Sequence, residues 1–130
     1  MSDNSIAFHH NHLISKDPKT TASWYADKLG GRIAGGEKAL GAPSIIVTFK
    51  GVMLIIRAAN AGEEVGTKEG PVWGNDHFGF HVDGDFDGYC DKLKANGVTF
   101  SLDPVNINPN LRIAFIEAPD GERIELLQQK

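Results

Sequence analysis

Asp76-His-Phe-Gly-Phe-His-Val82 decides the fold, because its layout has a counterpart 67 residues earlier in His10-Asn-His-Leu-Ile-Ser-Lys-Asp-Pro18. His10 and Gly30 stand 20 residues apart, and so do His77 and Gly97. The same displacement superposes Leu13 on Phe80, Ala26 on Leu93 and Ile33 on Phe100. With three further residues inserted, Gly51 falls on Gly121 and Ile55 on Glu125. Residues 77–130 therefore read as an edited second copy of residues 10–60. A duplicated unit related by a pseudo-twofold axis gathers equivalent positions around that axis. Here those positions hold His10, Ile55, His77 and Glu125: two imidazoles, one carboxylate and one hydrocarbon.

Working outward, Ile6 to Ile14 is rich in β-formers and reads as a strand. Asp17-Pro18 supplies a helix start, with Asp17 as N-cap and Pro18 at the first helical position. Ala22, Tyr25 and Leu29 follow at helical spacing, and Gly30-Gly31 ends the helix. A short strand is expected around Arg32 to Ala34. Ser44 to Lys50 and Val52 to Ala58 are apolar, β-branched runs parted by Gly51, as in a tight hairpin. Asn60 to Gly74 is polar and Gly-rich and reads as the linker. The second copy opens with a strand over Asp76 to Val82 and a helix from about Asp85 to Asn96-Gly97. Strands follow over Val98 to Leu102, Leu111 to Glu117 and Glu122 to Gln128. Pro119-Asp-Gly121 forms the last turn, Pro presetting φ and Gly accepting positive φ. The order is βαβββ twice. It predicts one α+β domain over 1–130, with module one at about 5–60 and module two at about 75–130. Helices on one face of the mixed sheets would leave a concave face for the site.

The bulk composition agrees with a folded domain. A chain of 130 residues buries about 68% of its unfolded surface in one core. Its hydrophobic fraction of 41% argues against disorder. A net charge of -4, with no Lys/Arg run, gives no footprint for nucleic acid or an anionic membrane. Cys90 is the sole cysteine, so no intrachain disulfide forms, as in a reducing compartment. The start Met1-Ser-Asp-Asn-Ser5 lacks the basic and apolar regions of a secretory signal. The expectation is a cytoplasmic protein.

Strand side chains alternate between faces. His10 and His12 therefore share a face, as do His77 and His81 with Gly79 between them. Glu125 shares its face with Arg123 and Leu127, and Ile55 with Met53 and Arg57. Two neutral imidazoles and a carboxylate on one side of a divalent ion form a facial triad with open coordination positions. His10, His77 and Glu125 are the expected metal ligands. His12 and His81 are candidate acid/base groups, because imidazole titrates near neutral pH. Arg57 is placed to clamp a substrate carboxylate bidentately, with a surface salt bridge as the competing role. His9 would lie on the opposite face. Trp24 and Tyr25 are assigned to helix–sheet packing, and Cys90 to inert packing.

His10 to Pro18, the helix ending Leu29-Gly-Gly31, Asp76 to Val82 and Ala114-Phe-Ile-Glu-Ala-Pro-Asp-Gly-Glu-Arg-Ile-Glu-Leu126 resemble the vicinal oxygen chelate superfamily. That group includes glyoxalase I, bleomycin-resistance proteins, fosfomycin-resistance transferases and extradiol dioxygenases. The resemblance spans nearly the whole chain. It implies two βαβββ modules, with ligand positions on the first and last strands of each, here His10, Ile55, His77 and Glu125. Glyoxalase I carries a carboxylate at the position of Ile55, so that activity is not expected. The two-His-one-Glu set resembles the Fe(II) extradiol enzymes and the Mn(II) fosfomycin-resistance group. The His and Tyr of the extradiol signature are replaced by Asn106 to Asn108 and Phe115.

The resemblance implies a divalent-metal enzyme, using Fe(II), Mn(II), Zn(II) or Ni(II), that chelates a small oxygen-rich organic substrate for isomerase, lyase or transferase chemistry. Two alternatives stand beside it: an extradiol-type dioxygenase, and a metal-free protein that sequesters a small molecule. A homodimer is expected, with the modules pairing within a chain or across subunits.

Overall fold

Both copies contain a parallel strand pair that fixes everything around it. The computed structural model describes residues 4–39 and 42–130. Met1, Ser2 and Asp3, part of the stretch read for a secretory signal, lie outside them. The chain divides into two compact units, Met1–Val65 and Gly66–Lys130.

In the first unit the order is β1 (Asn11–Ile14), α1 (Pro18–Leu29), β2 (Arg32–Ala39), β3 (Ala42–Phe49) and β4 (Val52–Arg57). The sheet runs β1-β4-β3-β2, and β1 lies parallel to β4. In the second the order is β5 (Phe78–His81), α2 (Phe86–Ala95), β6 (Thr99–Asn108), β7 (Leu111–Glu117) and β8 (Arg123–Gln129). That sheet runs β5-β8-β7-β6, with β5 parallel to β8. Two four-stranded mixed sheets, each with one helix, are the expected tandem βαβββ architecture.

The register tests the repeat residue by residue. His12 pairs with Ile55 in the first unit, and Gly79 with Glu125 in the second. The displacements read from the sequence map one pair onto the other. They also map the bond from Ser15 N to the Arg57 carbonyl onto that from Val82 N to the Leu127 carbonyl, both 2.8 Å.

Local chemistry explains the helices. Asp17 accepts from Thr20 N at the start of α1, Pro18 follows, and Gly30 closes the helix at φ 78°. Asp85 accepts from Gly88 N at the start of α2, and Gly97 follows at φ 83°. These left-handed positions favour glycine, which has no Cβ to clash. Ala22, Tyr25, Val47, Leu54 and Ile56 form the buried core of the first unit. Phe86, Cys90, Leu93, Ala114, Ile116, Ile124 and Leu126 form that of the second.

Three boundaries differ from expectation. The first strand begins at Asn11, and Ile6 and Phe8 precede it at 99% and 77% exposure. Among the described residues no strand pairs with them, and propensity alone does not make a strand. β2 continues through Gly35 and Gly36 to Ala39, and β6 continues through Pro104 to Asn108. Both are edge strands, where Gly and Pro are tolerated because one row of backbone groups needs no ladder partner. Each also carries bulges, between Ile33 and Gly35 in β2 and at three places in β6.

Leu126 is 1% exposed at the centre of the second unit. Leu126→Ala is expected to lower stability by about 2–5 kcal/mol, measured as a shift of the urea midpoint with an unchanged slope.

Candidate functional site

The second unit assembles its polar cluster from the parallel pair β5–β8. Ile124 and Leu126 are buried, which turns Glu125 to the opposite side of the sheet. Gly79 is its partner on β5, and His77 lies two residues before that glycine. A Cβ on Gly79 would stand 3.4 Å from the Glu125 Cβ and 3.2 Å from its carbonyl oxygen. The missing side chain spares Glu125 that close approach.

His77 Nε2 lies 2.9 Å from Glu125 Oε1, and His77 Nδ1 lies 2.7 Å from Asp76 Oδ2. His77 and Glu125 are part-buried, with side chains 30% and 20% exposed. Arg123 Nη1 donates to the same Asp76 oxygen at 2.9 Å. The hydrogen bond from His77, followed by the Arg123 charge, holds the Asp76 carboxyl below its ordinary range. The Phe115 ring packs edge-on against His77 at 4.9 Å, and the Arg123 guanidinium lies over Phe115 at 4.5 Å.

The equivalent face of the first unit is built differently. His10 lies just ahead of β1 and is exposed. Its Nδ1 is 2.8 Å from that of His9, and its ring is 6.0 Å from the His12 ring. His9 is therefore a neighbour of His10 and not its opposite, because the chain is not a strand there and alternation does not apply. Burial lowers the His12 pKa first, with smaller contributions from Arg57 and His10. Ile55 sits beside His12, where the other unit has Glu125 beside Gly79.

Arg57 clamps Glu63, with Nη1 to Oε1 at 2.7 Å and Nη2 to Oε2 at 3.2 Å. The bidentate geometry expected of Arg57 is present, and its carboxylate comes from this chain. His81 accepts from Gln129 N at Nε2 (3.3 Å), and its Nδ1 faces Asp83 at 3.3 Å. Among the described residues no group of three His, Cys, Asp or Glu is gathered as a metal cluster. Of the three expected ligands, His77 and Glu125 are brought together within their unit, and His10 belongs to the other unit.

Reading the sequence missed Asp76, Arg123 and Phe115 as partners of His77. An acid directly before an expected ligand histidine was the available signal for Asp76. Strand alternation had put Arg123 on the face of Glu125 without a partner, and no pattern announced Phe115, which arrives through its β7–β8 pairing with Glu125. Trp24 is only half-buried. It touches Tyr25 at 5.1 Å and lines a shallow groove with Lys19, Thr20, Ser23 and Asp27. Of the two aromatic residues, Tyr25 is the fully buried one.

The superfamily described as Glyoxalase/Bleomycin resistance protein/Dioxygenase matches residues 7–126, and the chain belongs to it. A glyoxylase/bleomycin resistance protein/dioxygenase domain from Frankia sp. EAN1pec is similar, with 18% identity and TM-score 0.77 over 99% of this chain and 100% of that one. A glyoxalase family protein from Enterococcus faecalis has 18% identity and TM-score 0.76, covering 93% and 96%. A glyoxalase I mutant from Zea mays has 21% identity and TM-score 0.73, covering 92% of this chain and 43% of that one. At these identities the likeness is one of fold. No curated protein matches the chain.

Cys90 is 1% exposed, and burial, with Asp87 adding, pushes its thiol up to about 11. Thiolate is the reactive form. Native protein at pH 8 should resist iodoacetamide, while protein in denaturant is alkylated fully, as read by intact mass.

Proposed function

We propose that this chain is a divalent-metal enzyme of its superfamily, with His77 and Glu125 as two ligands and His10 as the third. The observation that carries the reading is the 2.9 Å approach of His77 Nε2 to Glu125 Oε1, with Nδ1 turned to Asp76. Two donors bound to one ion at about 2.1 Å, roughly at right angles, stand about 3 Å apart. A carboxylate accepts, so the Nδ1 proton belongs in the bond to Asp76. That leaves the Nε2 lone pair as the metal-facing one. A neutral imidazole donates from one nitrogen only, so its second short contact calls for an extra proton or a cation. The donor chemistry fits Fe(II), Mn(II), Zn(II) or Ni(II).

When bound, such an ion supplies charge stabilisation to an oxygen-rich substrate and leaves positions open for it. The remaining roles fall to this chain's own side chains. His12 is the first candidate for moving a proton, since its environment favours the neutral imidazole, the form that accepts one. His81 is the second, and it must first give up the hydrogen bond from Gln129 N. Arg57 would bind a substrate carboxylate in place of Glu63. Ile55 offers neither a ligand nor a proton acceptor, so the reading favours isomerase, lyase or transferase chemistry other than that of glyoxalase I. Phe115 lies between His77 and Arg123, which also weighs against an extradiol dioxygenase. The reading treats both units as one functional domain and the protein as a cytoplasmic homodimer.

Elemental analysis of protein purified without chelators is expected to find about one such ion per chain. His77→Ala should weaken uptake by more than the roughly 10–100-fold typical of losing an outer partner. It should leave the far-ultraviolet circular dichroism spectrum unchanged. Metal-free protein whose melting temperature ignores all four ions would instead place the chain with the small-molecule-sequestering members.

A further inference from the structure

We infer that Arg123 is a positioning residue for His77, holding the imidazole through Asp76 and Phe115 together. The inference rests on the reading of His77 as a metal ligand. Asp76 and His77 are adjacent in the chain, so the Asp76 carboxylate has no strand to fix it against the ring. Its side chain is 46% exposed, and that of Arg123 is 42%. An exposed ion pair of this kind adds little to stability. Its geometry matters more, because one oxygen, Asp76 Oδ2, accepts from both His77 Nδ1 (2.7 Å) and Arg123 Nη1 (2.9 Å). The guanidinium also covers Phe115 at 4.5 Å, and Phe115 meets the His77 ring at 4.9 Å and 86°. His77 is thus held at its nitrogen and against its ring, and both holds lead to one arginine. Arg123 stands two residues before Glu125 on β8, so one strand carries both the carboxylate and the anchor.

The first unit supplies an internal comparison. The repeat places Met53 at the position of Arg123 and His9 at that of Asp76. The sheet register puts Ile46 where Phe115 stands, since Ile46 pairs with Ile55 and Phe115 with Glu125. None of those three residues can reproduce the clamp. There the His10 Nδ1 turns instead to the Nδ1 of His9, 2.8 Å away. In both units the preceding side chain therefore meets the imidazole at Nδ1, and the second unit alone adds an arginine and a phenyl ring that hold that partner and the ring.

The test uses the full chain, Zn(II) as the probe, and Arg123→Met, which installs the residue of the first unit. Zn(II) affinity should fall about tenfold with little change in melting temperature, and Arg123→Lys should recover part of it. Asp76→Ala combined with Arg123→Met should lose less than the sum of the two single losses, because the two residues share one of the two holds on His77. Metal-free protein gives a second readout: nuclear Overhauser contacts between the His77 and Phe115 rings, present in the parent and lost in Arg123→Met. Parent-like affinity in Arg123→Met, additive losses in the double variant, or ring contacts that survive would each overturn the inference. If the parent itself takes up no Zn(II), the metal reading fails. The ring contacts then decide the positioning role alone: their loss supports it and their survival overturns it.

Discussion

The parallel pairing of the first strand with the last, in each unit, is the constraint from which the rest of this protein follows. A parallel pair needs a long crossover, and here everything between its members serves as that connection: a helix, then two antiparallel strands. The pair brings the beginning of a module beside its end. His77 and Glu125 are 48 residues apart in the chain, yet their side chains meet because Gly79 faces Glu125 in register. A slip of one residue would send Glu125 into the buried face between Ile124 and Leu126, which no carboxylate tolerates unpaired. The buried neighbours therefore set the position of the polar group. Core packing and site geometry are two consequences of one register.

Duplication gives this constraint twice, and the two results are unequal. The second unit surrounds its imidazole with two carboxylates, an arginine and a phenyl ring. The first surrounds its own with further imidazoles and hydrocarbon. Since the parallel pairs share one register, the difference around each imidazole lies in the side chains. The second module is built to hold an imidazole in one orientation. The first presents His10 near an exposed surface, beside His9 and His12.

Much of this could be read from the residues. The repeat needed no structural input, and its displacements map the Cα partners of one parallel pair onto those of the other. Asp17, Pro18, Gly30 and Gly97 announced the helix ends because caps depend on local backbone chemistry. Edge strands were harder to read. Gly35, Gly36 and Pro104 look like strand breakers, and only the sheet order shows that they stand where breaking costs little. Ile6 and Phe8 misled in the other direction, since apolar alternation says nothing about whether a partner strand exists. At the site, the sequence pointed to His77 and Glu125 through symmetry. It could not show that Arg57 would find Glu63, because that contact depends on the path of a polar loop with no periodicity to read.

Ile55 is the clearest link between this frame and chemistry. Symmetry puts it at the position of Glu125, and the register puts it beside His12. A carboxylate there would have His12 as its immediate cross-strand neighbour and would favour the charged imidazole. With isoleucine instead, burial and the nearby Arg57 act unopposed, and His12 is biased toward the neutral form that accepts a proton. The hydrocarbon at this position thus also sets the charge environment of the imidazole on the adjacent strand. In the second unit the same pair of positions is resolved in reverse, with a carboxylate on β8 and no side chain on β5. Each module keeps one polar group of the pair, and the two modules keep opposite ones.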